Sequence, residues 1–244
     1  ATDLRLLRLE LLADPSFQDG RVGLAPNGNA VIGAIRATAH ARADAARLQP
    51  IAFRWAWADH EQQNGDFDVL NAIRGTGDGW ALEGHRREGP RSALLVADAA
   101  FGFEGGTRVV IEVACESRYA GHVAGRLRAS LASAAEGILG ELPLASSDWW
   151  SAGPFTEADF AIAWRTDHGP EAATRIDREQ RFGKQRWQQR PDGDGVAIEL
   201  RGERAAFYLA RELRTPVATK LPVSLGSDDA IKVFLDGKEI LANE

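Results

Sequence analysis

The sequence predicts an all-β protein made of two β-sandwich modules, and three observations carry this. Short apolar stretches recur at a spacing of roughly ten residues between Gly-rich turns, a rhythm of sandwiches rather than of alternating strands and helices. Thr107 to Ala114 alternates, with Val109, Ile111 and Val113 on one face. Asp236-Gly237 stands between two apolar runs, the strongest short hairpin signal in the chain.

The remaining elements follow in order. Leu4 to Leu12 is dense in leucine with arginines interleaved, and its periodicity fits a strand or a short helix. Asp14-Pro15 and Gly23 to Asn29 read as turns, and Val31 to Ala37 as a strand. Ala37 to Leu48 is alanine-rich, and local propensity favours helix there. Ile51 to Ala58 alternates bulky and small residues, which puts Phe53, Trp55 and Trp57 on one face of an extended chain. Asn64-Gly65 and Gly75 to Gly79 are turns bracketing Phe67 to Ile73. Ser92 to Ala97 is a short apolar run, His122 to Leu131 reads as a strand, and Ser133 to Leu142 fits a short helix before Pro143. The expected organisation is a first module at 1–133, a linker at 134–144 and a second module at 145–244. Strands of the second module are expected around Trp149-Trp150, Gly153-Pro154-Phe155, Trp187, Ala205 to Ala210, Val217 to Leu225 and Ala230 to Leu235.

Composition narrows the function classes. Of the 244 residues, 44% are hydrophobic, enough for a buried core. The net charge of −6 and the scatter of basic residues (Arg86 and Arg87; Arg175 to Arg190) argue against a nucleic-acid groove, which needs a concentrated basic face. Cys115 is the only cysteine, so neither an internal disulfide nor a Cys-rich zinc cluster can form. It lies beside the apolar run Val109 to Ala114 and is expected to act as a small buried hydrophobe. Methionine is absent and residue 1 is alanine, which leads to the expectation of a piece of a longer chain. No signal peptide and no apolar run of membrane-spanning length is present, so membrane insertion is not expected.

Catalytic signatures fall short. His60-Glu61 is followed by Asn64 rather than a second histidine, so no zinc-protease motif exists. No Gly-x-Ser-x-Gly elbow occurs. Gly75, Gly77 and Gly79 lead into Trp80 and turn-like chain, not a phosphate-binding helix. The five histidines (His40, His60, His85, His122 and His168) lack ligand spacing to one another. Asp192-Gly193-Asp194-Gly195 invites a calcium-loop reading, but Val196 and Ala197 stand where an oxygen ligand and a glycine are needed, and a hairpin turn is expected instead.

Several stretches together resemble one family. Leu6-Leu7-Arg8-Leu9-Glu10 with Ala25-Pro26-Asn27-Gly28-Asn29, Ala72-Ile73-Arg74-Gly75 leading to Gly79-Trp80-Ala81, and Phe103 to Arg108 with His122 to Leu127 resemble a galactose-binding-like, jelly-roll β-sandwich. Trp150, Gly153-Pro154-Phe155, Gly169-Pro170-Glu171, Trp187, Tyr208 and Ser224 to Gly237 continue the pattern. The whole order is similar to the accessory sandwich region of planctomycete-type cytochrome c proteins, which are large, secreted and multidomain. The resemblance implies an extracytoplasmic location and neighbouring domains of a parent chain as partners. The two-cysteine haem motif of that family is missing, so no haem is expected. Arg74 stands where the family commonly has aspartate. The second sandwich is expected to be truncated at its C-terminal side.

Ser227-Asp228-Asp229-Ala230-Ile231 with Leu235-Asp236-Gly237 also resembles the core of a PA14-type sandwich, whose lectin members hold calcium on paired aspartates. Calcium at Asp228 and Asp229, with Asp236 as a candidate third ligand, is therefore one expectation: adjacent carboxylates repel unless a cation sits between them. The other is a turn in which Asp228 caps backbone amides. For carbohydrate, Trp55 is a candidate stacking platform, although its alternation with small residues also fits a core strand. Arg126 and Arg128, on one strand face near His122, are candidates to grip sugar hydroxyls or an acidic sugar; surface ion pairs are the competing reading. The function expected is thus non-catalytic: carbohydrate-binding modules for a polysaccharide, or structural spacer and docking modules. A polysaccharide-active hydrolase is the third reading, but no acid pair stands out among 35 acidic residues.

Overall fold

The computed structural model describes residues 1–190 and 195–244. Strands hold 40% of the chain and helices 9%, in several antiparallel sheets, so the protein is all-β with a sandwich-like character. Two compact units form: Ala1–Ala145 with Arg214–Thr219, and Ser146–Leu213 with Lys220–Glu244.

In the first unit, β1 (Leu4–Leu12), β5 (Phe53–Ala58), β7 (Arg91–Phe101) and β9 (Arg126–Ser133) make one sheet in the order β5-β7-β1-β9. A second sheet runs β4 (Leu48–Ile51), β3 (Ala34–Ala41), β8 (Thr107–Ala114), and β2 (Val31–Ile32) pairs with β6 (Trp80–Ala81). The leucine-rich opening is a strand because Leu7, Leu9 and Leu11 then fall on one face and are wholly buried. They meet Ala93 and Leu95 of β7, Ile35 of β3, Trp80, and Val69 and Leu70 of the helix α1 (Val69–Arg74). Each such leucine contributes roughly 1.5–3 kcal/mol by leaving water. Asp68 caps α1 by accepting the Leu70 amide at 2.8 Å, and Gly75 closes it in the left-handed region, so the Phe67 to Ile73 stretch is largely helix.

Four local expectations are corrected. The alanine-rich stretch is not helical: Ala37, Ala39 and Ala41 point inward from β3, which pairs with β4 on one side and β8 on the other, and this ladder outweighs local propensity. Phe53 does not share a face with Trp55 and Trp57. A register shift between Phe53 and Trp55 turns Phe53 toward the main core, while Trp55 and Trp57 lie in a cluster on the opposite side of the sheet. The segment 134–144 is no free linker: Ala134, Leu139 and Leu142 pack with Trp55, Val96 and Val217, and Glu136–Leu139 forms a helical turn. Val217 to Leu225 forms no strand; Leu221, Val223 and Leu225 are exposed. The β8 expectation agrees residue for residue, whereas β9 starts later than expected, at Arg126, because His122 to Gly125 is loop with a single bridge from Ala124 to Gly23. Cys115 is half-buried against the core, its Sγ 3.4 Å from the Ala124 amide.

The second unit has a smaller core. The strand Trp149–Thr156 pairs with Gln188–Arg190 and Ala205–Ala210, and Trp150, Ala152, Phe182 and Trp187 are buried together. Its C-terminal hairpin joins Ile231–Leu235 to Lys238–Asn243 through Asp236-Gly237, both at positive φ, as a two-residue turn of that sequence requires. The Asp192-Gly193-Asp194 turn lies outside the described residues. Among the described residues no helix is long and apolar enough to cross a membrane.

Candidate functional site

The sugar and metal candidates named from sequence do not meet at one place. Trp55 is only 2% exposed and its indole N–H donates to the Arg214 carbonyl at 3.1 Å. It is a core residue and offers no face to a sugar, which corrects its candidacy. Arg126 and Arg128 project from β9 on the outer face of the sheet, opposite Leu12 and Glu10. Each has a carboxylate of its own. Arg128 grips Glu10 with two hydrogen bonds of 2.6 and 2.5 Å, and Arg126 donates to Asp14 at 3.1 Å. Arg8 adds a third guanidinium, 3.2 Å from Glu10. The hydrogen bond from Arg128 is the largest reason the Glu10 carboxyl sits below its usual range, aided by the charges of Arg128 and Arg8 against a desolvation that opposes them. These arginines are ion-paired, not poised.

Asp228 and Asp229 are exposed ahead of the hairpin, where the Asp229 amide donates to Ser227 Oγ at 3.3 Å. Asp236 sits in the turn at the far end of Ile231–Leu235. A strand of that length separates it from the doublet by about 13 Å or more, whereas calcium needs its oxygens at about 2.3–2.6 Å. Asp236 therefore cannot be the third ligand. Among the described residues no three His, Cys, Asp or Glu side chains gather into a metal-holding group.

A different constellation forms where three connections of the first unit meet: 27–30 before β2, 59–62 after β5, and 82–91 between β6 and β7. Its base is buried and densely hydrogen-bonded, with His85 Nδ1 the loop's one buried side-chain nitrogen lacking a partner among the described residues. Asn29, 3% exposed, accepts the Gly84 amide at 2.9 Å and donates to Gln62 Oε1 at 3.0 Å. The Trp80 indole donates to the His60 carbonyl at 2.9 Å. Gly84 is required there, since a Cβ would stand 2.3 Å from the Gly28 carbonyl oxygen. Arg91, 1% exposed, organises the loop from inside: its guanidinium donates to the carbonyls of Leu82 (2.9 Å), Gly89 (2.8 Å), Pro90 (3.0 Å), Glu88 and Arg87. The chain between 82 and 90 is wound around this side chain. Burial is the main force lowering the Arg91 pKa, followed by the charge of Arg87.

On this base stand Glu83, His60, Arg86 and Arg87. Glu83 is buried at φ 51°, a conformation costing a non-glycine residue about 1–3 kcal/mol. That geometry brings Glu83 Oε2 to 2.8 Å from His60 Nε2, and Oε1 to 3.5 Å from Arg86. Arg87 lies 2.8 Å from His60 Nδ1. A guanidinium only donates, so Nδ1 accepts and Nε2 carries the proton it donates to Glu83. The imidazole is thereby held neutral and in one tautomer. Its pKa is lowered, first by burial and also by the charges of Arg87 and Arg91, against the opposing pull of Glu83. Among the described residues Arg87 makes no ion pair: a neutral ring aims it, and the residue is exposed. Arg86 is 69% exposed at its side chain.

Sequence reasoning passed over this group. In the sequence His60 has neither a zinc motif nor ligand spacing to another histidine, and Arg86-Arg87 reads as scattered charge. The readable hint was the polar run from Glu83 to Glu88 set between Gly-rich chain. No family model, curated protein or solved structure matches the chain, so the reading of this site rests on its own chemistry.

Proposed function

We propose that the first unit is a non-catalytic carbohydrate-binding module of galactose-binding-like, jelly-roll type, and that His60, Gln62, Arg86 and Arg87 form its recognition surface. The observation that carries this is the pre-aimed guanidinium of Arg87. A surface arginine normally pairs with a carboxylate or moves freely; this one is fixed by a neutral histidine that a strained, buried glutamate holds in turn. Strain kept in a densely hydrogen-bonded loop end is typical of binding surfaces, because it presents donors with little ordering cost when the ligand arrives. Sugar hydroxyls are the matching acceptors. In this proposal both units belong to a larger extracytoplasmic, multidomain parent of the planctomycete cytochrome c type, and Asp228 and Asp229 shape the entry to the hairpin rather than hold calcium.

Affinity electrophoresis of the whole chain through gels holding soluble polysaccharides tests the reading. Retardation is expected in at least one gel and is expected to be lost in Arg87→Ala but kept in an Arg126→Ala, Arg128→Ala double variant. Equal mobility of wild type and Arg87→Ala in every gel removes the proposal. The spacer and docking reading has its own support: β9 pairs with β1 on one side only, and it leaves Leu127 and Leu131 44% and 36% exposed. A strand edge of that kind suits another polypeptide. Charge or proline placed in β9 separates the two readings, since neither change touches the Arg87 loop.

A further inference from the structure

We propose that the Arg87 surface selects an acidic saccharide, binding the carboxylate of a uronate residue through the guanidinium of Arg87 with Arg86 beside it. This rests on the carbohydrate reading above and names the ligand class. The argument is one of local charge. Arg91 is buried with only carbonyl oxygens as partners, and its guanidinium takes the carbonyl of Arg87 itself. A full positive charge thus lies against the backbone of Arg87, enclosed by protein where water screens it poorly. Among the described residues Arg87 touches a neutral ring and no carboxylate. The acids nearby are otherwise engaged: Glu83 by His60 and Arg86, Glu88 by Arg21 at 3.5 Å, and Glu61 by the Val69 amide at 2.7 Å. The charges of Asp59 and Glu83 are near enough to raise the Arg91 pKa, although burial and Arg87 outweigh them. Among the described residues Arg87 therefore makes no ion pair, in a chain whose net charge is −6.

A neutral sugar would leave that charge unanswered; a carboxylate would meet it with paired, charge-assisted hydrogen bonds. The planar fork fits a planar carboxylate better than a tetrahedral sulfate ester. Gln62 adds specificity: Asn29 holds its Oε1, which leaves the amide nitrogen as a fixed donor for a ring hydroxyl.

The test compares polygalacturonate with the same polymer fully methyl-esterified, which removes the charge and keeps the sugar, and with a sulfated galactan of similar charge density. Isothermal titration of the whole chain at about 0.15 M salt should give binding to polygalacturonate that is about ten- to a hundredfold tighter than to the ester, the range expected for one charge-assisted contact. Arg87→Gln should abolish that preference, while Arg128→Gln should leave it intact. Thermal melts of both variants control for folding, and Arg86→Gln, at an exposed side chain, gives a second, smaller loss. Equal binding to acid and ester overturns the acidic preference and leaves the carbohydrate reading standing. Binding to the sulfated galactan as tight as to the uronate overturns the carboxylate. Binding to none of the three overturns both. Unchanged selectivity in Arg87→Gln overturns the site.

Discussion

The first unit carries two groups of arginines that look alike in composition and differ in what faces them. On β9, Arg128 meets Glu10 across the strand ladder and Arg126 meets Asp14 just past the end of β1, so their charge is cancelled where it stands. In the 82–91 loop, Arg91 is enclosed by carbonyls and Arg87 leans on a neutral imidazole, so charge is held without being cancelled. A count of guanidiniums cannot tell these groups apart. The supply of counter-charge can, and it marks the loop as the place with interaction energy left to give.

The sharpest way to break this comparison is to remove the internal cation. Arg91→Met keeps the length of the side chain but strips partners from the carbonyls of Leu82, Arg87, Glu88, Gly89 and Pro90. Buried groups so orphaned are expected to cost about 3–5 kcal/mol in urea unfolding, with loss of ligand binding. Arg128→Met, at a half-exposed guanidinium whose buried partner Glu10 keeps Arg8, should move the midpoint by less. Similar losses at the two positions would show that the loop is not specially organised.

A second, intermediate effect comes from pH. His60 is held neutral, with a pKa below its ordinary 6.5. Between that lowered value and 6.5 the unfolded chain binds a proton that the folded chain refuses, so stability rises with pH in this window and falls on acidification below 6.5. His60→Gln should flatten the slope in thermal melts. Because protonation also repels Arg87, saccharide binding should weaken over the same range in wild type. A wild-type profile with no slope below 6.5 would mean that the imidazole charges freely.

Why the sequence points to one group and hides the other follows from how each is built. Arg126 and Arg128 alternate on a strand, so their shared face is legible from period-two spacing, and so are the leucines of β1, the face of β8 and the Asp236-Gly237 turn. The loop site depends on contacts far apart in sequence, such as Asn29 with Gly84 and His60 with Glu83, and on a left-handed backbone at a glutamate, for which composition carries no marker. Trp55 and the alanine-rich β3 are ambiguous in sequence for a related reason. Residue type there suits two environments, and only the packing of 134–144 over Trp55, or of two strands beside β3, decides between them.

A smaller effect belongs to Glu10. Its lowered pKa means that its pairing stabilises the fold above the ordinary 4.5 and that this support is lost as pH falls through the lowered value. Glu10→Gln should therefore change the acid limb of the melting profile and leave the neutral limb nearly flat, opposite to the His60 pattern. Sodium chloride should weaken this contribution more than that of the enclosed Arg91.

The smallest expected effect extends the comparison to charges of the other sign. Asp228 and Asp229 also form no ion pair among the described residues, but they are exposed, and Asp236 stands a strand's length away. Water answers charge of that kind, so it carries little unspent energy. A cation bound only to the folded chain, at a hundred times its Kd, would add about 2.7 kcal/mol. Millimolar calcium is accordingly expected to leave the melting midpoint of the whole chain where it is, and Asp228→Asn with Asp229→Asn to behave as wild type. A calcium-dependent rise that vanishes in the double variant would show that lack of counter-charge alone makes a site, even on an open loop, and would take away the distinction on which the choice of the Arg87 surface depends.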